Sequence, residues 1–264
     1  MMTIKIILAG PRGKMGSEAI KMIHQENKFH LVACLDKPNS CIPDLPEGME
    51  VPVYDDARTC FQEVKADVYI DLTIPETGFI HTKLALEHKI HAVVGTSGFS
   101  DEQIQELTTI ANKHETGCLI APNFALGAVL MMLFSKMAAA YFPDVEIIEK
   151  HHDNKIDAPS GTAIKTVEMI QQTRKSKIQG HPDEYEIVQG ARGANCDGIR
   201  IHSMRLPGLV AHQEVVFGGK SQLLSIKHDS FHRESFMDGL KLGIHEVLSL
   251  KTLVYGLENV MDIN

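Results

Sequence analysis

Ile4-Lys-Ile-Ile-Leu-Ala-Gly10-Pro11-Arg12-Gly13-Lys14-Met15-Gly16 is the stretch on which the reading of the fold turns. Thr3 to Ala9 is a mostly apolar run of strand length, and Lys14 to Gln25 then places Met15, Ala19, Met22 and Ile23 at helical spacing. Between them, Gly10, Gly13 and Gly16 mark a tight strand-to-helix turn. Glycine there lets backbone N–H groups approach a pyrophosphate, and the helix start adds partial positive charge. A ligand-free turn would use the same glycines, and the spacing departs from the commoner Gly-x-Gly-x-x-Gly, so the next strand matters. His30 to Leu35 ends at Asp36, 20 residues beyond Gly16, where an acid bonds a ribose 2′-hydroxyl. Lys37 beside it suits a 2′-phosphate, so use of both NADH and NADPH is expected.

Outward from this unit the alternation continues. Val68 to Leu72, His91 to Val94 and Gly117 to Ile120 read as strands, with helices over Gly78 to His88 and Ser100 to Lys113. Lys37 to Val53, with Pro38, Pro43, Pro46, Pro52 and Gly48, reads as a loop. The pattern predicts an α/β chain whose first part is a Rossmann-like doubly wound parallel sheet. In such sheets ligands lie beyond the carboxyl ends of the strands. Gly95-Thr96-Ser97-Gly98-Phe99 and Ala121-Pro122-Asn123-Phe124 are therefore placed to reach the nicotinamide half, although ordinary turn chemistry explains either loop alone.

After residue 124 the pattern changes to α+β. Leu126 to Ala140 and Gly161 to Gln171 read as helices and Val145 to His151 as a strand. Glu186 to Gln189, Ile199 to Arg205, Glu214 to Phe217 and Gln222 to Lys227 read as antiparallel strands, with Gly218-Gly219 as a hairpin turn. Phe231 to Leu250 returns to helical spacing. The expected organisation is a dinucleotide-binding domain over 1–124, completed by 232–264, and a substrate domain over 125–231.

Composition limits the alternatives. The 264 residues are 44% hydrophobic and 23% charged, which argues against disorder. With 26 basic against 34 acidic residues, a net of −8 and no basic run, a nucleic-acid or anionic-membrane surface is not expected. The longest apolar stretch, Ala125 to Ala140, is broken by Ser135 and Lys136 and falls short of a membrane span. Ile4 to Leu8 leads into the glycine loop and not into a cleavage site. The five cysteines form no Cys-x-x-Cys pair, so reduced thiols in the cytoplasm are expected. The fourteen histidines mostly stand alone, and no metal site is expected. Met131, Met132 and Met137 read as packing residues.

The second chemical cluster is Glu149-Lys150-His151-His152-Asp153-Asn154-Lys155-Ile156-Asp157-Ala158-Pro159-Ser160-Gly161-Thr162. Two adjacent strand histidines face opposite ways, so they suit separate roles better than one metal. Lys155 adds a cation, and Ser160-Gly161-Thr162 starts a helix whose N–H groups suit a carboxylate. Surface or packing roles explain any one of these histidines alone; their concentration favours a local anion site. Arg192-Gly193 and Gly198 to Ser203 fit a strand face near substrate or a structural face equally. No Gly-x-Ser-x-Gly elbow surrounds Ser160, which argues against a hydrolase.

These residues resemble the 4-hydroxy-tetrahydrodipicolinate reductase family, also called dihydrodipicolinate reductase, along nearly the whole chain. The most specific part is Glu149 to Ala163, similar to the signature E-x-H-H-x-x-K-x-D-x-P-S-G-T-A. The glycine loop, Asp71 to Glu76, Gly95 to Phe99 and Ala121 to Gly127 are similar to its cofactor motifs in the same order. The resemblance implies His151 as proton donor and Lys155 as its partner cation, His152 as a substrate contact, and Gly161-Thr162 as the backbone holding a substrate carboxylate. It implies dinucleotide contacts at Gly10, Pro11, Arg12, Gly13, Lys14, Met15, Asp36, Lys37, Gly95, Thr96, Ser97, Ala121, Pro122, Asn123 and Phe124. Ile74 departs from the pattern, since some members carry a basic residue there.

The activity implied by the resemblance is NADH- or NADPH-dependent reduction of a small cyclic dicarboxylate, with loss of water, in the diaminopimelate route to lysine. Closure of the two domains is expected because hydride transfer needs reacting carbons about 3 to 3.5 Å apart and shielded from water; the C-terminal sheet is expected to be mixed and largely antiparallel, and the resemblance implies homotetramers joined through it. Two rivals stand beside it: another nicotinamide enzyme acting on a small carboxylated substrate, and a non-catalytic dinucleotide sensor.

Overall fold

The computed structural model describes residues 3–37, 42, 45 and 50–262, which form two compact units. The first comprises 1–124 with 236–264, the second 125–235. Strand β1 (Ile4–Ala9) lies in the middle of the first unit, with Ile6 to Ala9 at 0% exposure. A strand covered on both faces is apolar without alternation, which is what this run shows. Helix α1 (Lys14–Gln25) follows, then β2 (Phe29–Leu35), β3 (Val53–Tyr54), α2 (Ala57–Glu63), β4 (Val68–Asp71), α3 (Pro75–Glu87), β5 (His91–Val94), α4 (Asp101–His114) and β6 (Cys118–Ile120).

Residues 236–264, at the far end of the chain, complete this unit with α7 (Met237–Val247) and β12 (Leu253–Tyr255). All seven strands pair in parallel in the order β12-β6-β5-β4-β1-β2-β3. The chain leaves β1 toward β2 on one side and returns to β4 on the other. The crevice where such sheets bind ligands therefore opens beyond Ala9 and Asp71.

The second unit runs α5 (Leu126–Ala139), β7 (Asp144–His151), α6 (Gly161–Gln171), β8 (Ala194–Cys196), β9 (Ile199–Arg205), β10 (Ala211–Gly219) and β11 (Gln222–Ser230). Its sheet has the order β11-β10-β7-β9-β8. Val145, Ile147 and Glu149 alternate inward along β7, in line with Ile199 and Ile201 of β9 and Val215 and Phe217 of β10. Met131 and Met132 of α5 are buried, whereas Met137 is exposed.

Several expectations change. The second sheet is mixed and largely antiparallel, as expected, and only the sense of β9 differs from the reading of its segment as an antiparallel strand: it runs parallel to β7. Glu186 to Gln189 is not a strand: the Glu186 carboxylate accepts the N–H groups of Gly190 and Arg192 and closes a turn instead. Gly218 and Gly219 belong to β10, paired with Leu223 and Gln222, and the hairpin turns at Lys220-Ser221. Ser221 takes the left-handed conformation, at φ 59°, that a glycine was expected to supply. The helix expected over Phe231 to Leu250 is shorter, a 3₁₀ turn at Arg233–Phe236 followed by α7. Short β3, β8, β12 and α2 carried too few periodic residues to be read. Of the expected loop 37–53, positions 38–41, 43–44 and 46–49 lie outside the described residues.

Candidate active site

Beta1 delivers Gly10 to the sheet's carboxyl edge, and α1 begins four residues later. Gly10 sits at φ 79°, and a Cβ there would lie 2.5 Å from the Leu72 carbonyl oxygen beyond β4. A Cβ on Gly16 would lie 2.1 Å from the Gly10 carbonyl oxygen. The loop is folded as tightly as a glycine-only backbone permits. Gly13 is the N-cap of α1, and no side-chain hydrogen bond caps the helix. Pro11 is buried, while Arg12, Gly13 and Lys14 are exposed and Met15 is half-buried.

Asp36 stands at the end of β2. Its Oδ2 accepts from Arg12 Nε at 2.7 Å and its Oδ1 from Arg12 Nη2 at 2.6 Å and from the Lys37 N–H at 2.7 Å. The Arg12 hydrogen bond, against some opposition from burial, holds the Asp36 carboxyl below its usual range. Lys37 is exposed.

The loops after β5 and β6 converge on the same edge. A Cβ on Gly95 would meet Leu72 Cδ2 at 2.8 Å and Phe124 Cε2 at 2.9 Å. Ala121 and Phe124 are buried, Ser97 and Pro122 exposed and Asn123 half-buried. Thr96 is buried, and its Oγ1 has no hydrogen-bond partner among the described residues. An uncapped helix start, a glycine cradle, a ribose-reach acid and an orphaned hydroxyl on one edge fit a dinucleotide. Ile74 is the N-cap of α3, 60% exposed, and contributes no capping hydrogen bond.

The second unit holds the other cluster. Beta7 ends at His151, which therefore shares the inward face with Glu149, and His152 lies just beyond the strand and not on its opposite face. His151 Nδ1 donates to Glu149 Oε2 at 2.6 Å. Glu149 Oε1 accepts the Ser160 N–H at 3.3 Å. Arg205, at the end of β9, forks onto the same carboxylate at 2.8 Å on each arm and reaches the Asp157 carbonyl at 2.7 Å. Burial opposes charge on Glu149, but hydrogen bonds from His151, Arg205 and Ser203 outweigh it and bring the carboxyl down to about 2.

Lys155 Nζ bonds both oxygens of Asp157, at 2.7 and 2.8 Å. Ser160 caps α6 by accepting the Ala163 N–H at 3.2 Å. Gly161 and Thr162 form the first turn of α6.

Arg192 and His202 are both bonded to Glu146, and Arg192 is also paired to Glu184. The sequence assigns no role to Glu149 or Arg205: Glu149 opens the signature without a stated function, and Arg205 lies 56 positions away, brought beside it by β7–β9 pairing. Their signal was a charge at an inward strand position.

The comparisons agree from end to end. A family model described as "Dihydrodipicolinate reductase, N-terminus" matches residues 4–124, and one described as "Dihydrodipicolinate reductase, C-terminus" matches 127–261. The 4-hydroxy-tetrahydrodipicolinate reductase of Oceanobacillus iheyensis is 58% identical, over 98% of this chain and 100% of that one. The enzyme of the same name from Bacillus cytotoxicus is 57% identical over 99% and 100%. The dipicolinate-bound dihydrodipicolinate reductase of Paenisporosarcina sp. TG-14 superposes with a TM-score of 0.92 at 51% identity, over 98% and 100%. An amine dehydrogenase of Mycobacterium smegmatis, at 13% identity and a TM-score of 0.66, shares the fold alone. With both halves matched and more than half of all positions identical across the full length, the chain belongs to the dihydrodipicolinate reductase family.

Proposed function

We propose that this reductase takes 4-hydroxy-tetrahydrodipicolinate to tetrahydrodipicolinate with loss of water, in the diaminopimelate route to lysine, using NADH or NADPH and His151 as the proton donor. The observation that carries the reading is the bridge made by one carboxylate. Glu149 bonds His151 through one oxygen and the Ser160 backbone through the other, tying a proton-transfer group to a helix start suited to a carboxylate.

Gly10 to Met15, Asp36, Lys37, Gly95 to Ser97 and Ala121 to Phe124 hold the dinucleotide in this reading. When bound, its reduced nicotinamide supplies the hydride. His151, charged, protonates the enamine that hydride addition leaves, with Nε2 as the donating atom because Nδ1 is engaged by Glu149. Lys155 stabilises developing negative charge, and His152, Gly161 and Thr162 contact the substrate. The Paenisporosarcina relative, named as dipicolinate-bound, supports a small cyclic dicarboxylate as the ligand.

We further propose a homotetramer acting in the cytoplasm. One sheet face of the second unit holds a cavity of about 550 Å³ lined in part by Ile148, Met204, Val216 and Leu223. Leu223 is 76% exposed, and an apolar sheet face of this kind is what a second copy covers. Among the described residues no helix is long and apolar enough to cross a membrane.

The test is oxidation of NADH and NADPH followed by absorbance, with substrate freshly supplied from pyruvate and aspartate semialdehyde by a dihydrodipicolinate synthase. Substrate-dependent oxidation, lowered roughly 100- to 10,000-fold by His151→Gln, is expected. Full turnover in that variant refutes the assigned donor. Nucleotide binding without oxidation points to the sensor, and failure of pyridine-2,6-dicarboxylate to compete points to another dehydrogenase.

A further inference from the structure

We propose that Glu149, neutralised by Arg205, is the positioning residue that fixes the His151 ring and its tautomer, so that only Nε2 passes the proton. The inference rests on the reading of His151 as donor.

Glu149 is a carboxylate at 0% exposure in the middle of an apolar strand face, between Ile147 and the strand end. A buried charge survives only with a partner and with its lone pairs satisfied. Both conditions are met here, and the partners show what the carboxylate does. Arg205 supplies the counter-charge through two arms, one to each oxygen, both at 2.8 Å. Oε2 also accepts from His151 Nδ1 at 2.6 Å and Oε1 from the Ser160 N–H at 3.3 Å, and Ser203 adds a further hydrogen bond to the carboxylate.

An ionised carboxylate only accepts, so the His151 nitrogen facing it must carry the hydrogen. This holds in both protonation states of the ring. After His151 has given up a proton, the neutral imidazole keeps Nδ1–H, and Nε2 is the atom that lost it and regains it. A ring free to rotate would spend part of its time with neither N–H aimed at substrate, and once neutral could hold its remaining hydrogen on either nitrogen. A carboxylate behind the imidazole removes that choice, as a buried acid does for the histidine of a hydrolytic triad.

Arg205 makes the arrangement more than a pair. Its second arm also donates to the Asp157 carbonyl at 2.7 Å, and the Asp157 side chain holds Lys155. The segment 152–159, which carries Lys155, is thereby fastened at Asp157 to the group that orients His151. The Ser160 N–H on Glu149 fastens its far end, where α6 begins. One ion pair, with its carboxylate buried and its guanidinium half-buried, thus sets the proton donor, the cation and the helix start in register.

The test begins on the unaltered protein. With ¹⁵N-labelled histidine, the His151 ring at alkaline pH is expected as the Nδ1–H tautomer, assigned by its loss in His151→Gln; an Nε2–H tautomer overturns the proposal. Glu149→Gln is expected to lower kcat about 10- to 100-fold, a part of the full general-acid contribution, with dinucleotide affinity unchanged and the single tautomer lost. Glu149→Asp is expected to recover part of kcat. Because Glu149→Gln leaves Arg205 without a counter-charge, Glu149→Gln with Arg205→Met provides a neutral core pair. That double variant, folded by circular dichroism, is expected to show the same loss of kcat. A folded double variant with unchanged kcat and tautomer overturns the proposal while leaving His151 as donor. Full turnover in His151→Gln removes the donor reading and the proposal with it.

Discussion

Arg12, in the glycine loop, closes a two-point fork on Asp36, at the end of β2, with Nε to Oδ2 at 2.7 Å and Nη2 to Oδ1 at 2.6 Å. The acid proposed to bond a ribose hydroxyl is therefore already paired with a cation able to turn to a 2′-phosphate. A lone carboxylate would repel that phosphate, whereas a paired one offers either partner to the ligand. Arg12→Ala should weaken NADPH binding about 10-fold or more and NADH binding far less, and Asp36→Ala should raise the preference for NADPH. Titration of nicotinamide fluorescence measures both. Equal losses for the two nucleotides in Arg12→Ala would remove Arg12 from the choice.

Two glycines at helix starts are expected to respond oppositely to a methyl group. In Gly16→Ala the new Cβ would lie 2.1 Å from the Gly10 oxygen and 2.8 Å from Pro11 Cα, so backbone must move. Overpacking of this kind costs roughly 1–3 kcal/mol. Both stability and dinucleotide affinity should fall. In Gly161→Ala the Cβ meets no heavy atom within 4 Å, so the melting temperature should hold or rise. If the start of α6 receives a substrate carboxylate, that methyl occupies ligand space and weakens pyridine-2,6-dicarboxylate. Calorimetry showing unchanged affinity would move the carboxylate elsewhere.

The parallel sheet was legible in the sequence because its strands are covered on both faces. Ile6 to Ala9, Val68 to Ile70 and Ala92 to Val94 have no solvent side, so each reads as an unbroken apolar run between glycine or polar punctuation. The second sheet is exposed in part along β11 and at its β8 edge, and its strands β7 and β10 alternate buried and more exposed positions and carry no such run. Beta8 and the parallel sense of β9 depend on pairing between distant segments, which local periodicity cannot express. The same holds in the site. His151, Lys155 and the α6 start are neighbours in sequence and were read together, whereas Arg205 reaches Glu149 only through the sheet. The fork of Arg12 on Asp36 was hidden for the same reason, since Asp36 alone was read as a ribose ligand.

Thiol reactivity should divide the cysteines sharply. Burial pushes the thiols of Cys34, Cys60 and Cys118 up to about 12 each, and Asp36 adds to the effect at Cys34. A thiol that stays protonated is a poor nucleophile. Cys196 is half-buried, with its thiol raised less. Alkylation of the native protein near pH 8, mapped by mass spectrometry, should modify Cys196 before these three, which should react only on unfolding. Early labelling of Cys118, the deepest of them, would mean that the β6 region opens in the native state.

The buried carboxylate at Glu149 should leave a signature in acid. Its carboxyl lies at about 2 in the folded protein against an ordinary 4.5, a depression in which hydrogen bonds from His151 and Arg205 overcome the cost of burial. A depressed carboxyl contributes stability that is complete above its unfolded value and is lost as pH falls toward its folded one. The difference in unfolding free energy between the wild type and Glu149→Gln should therefore shrink as pH falls from about 5 toward 3. The full pH-dependent part corresponds to about 3 kcal/mol. Other depressed carboxyls, at Asp36 and Glu146, titrate in both proteins and cancel in the difference. Urea unfolding at stepped pH gives the curve directly. A gap that stays constant down to pH 3 would mean that Glu149 is not held ionised by His151 and Arg205, and the orientation of the His151 ring would need another cause.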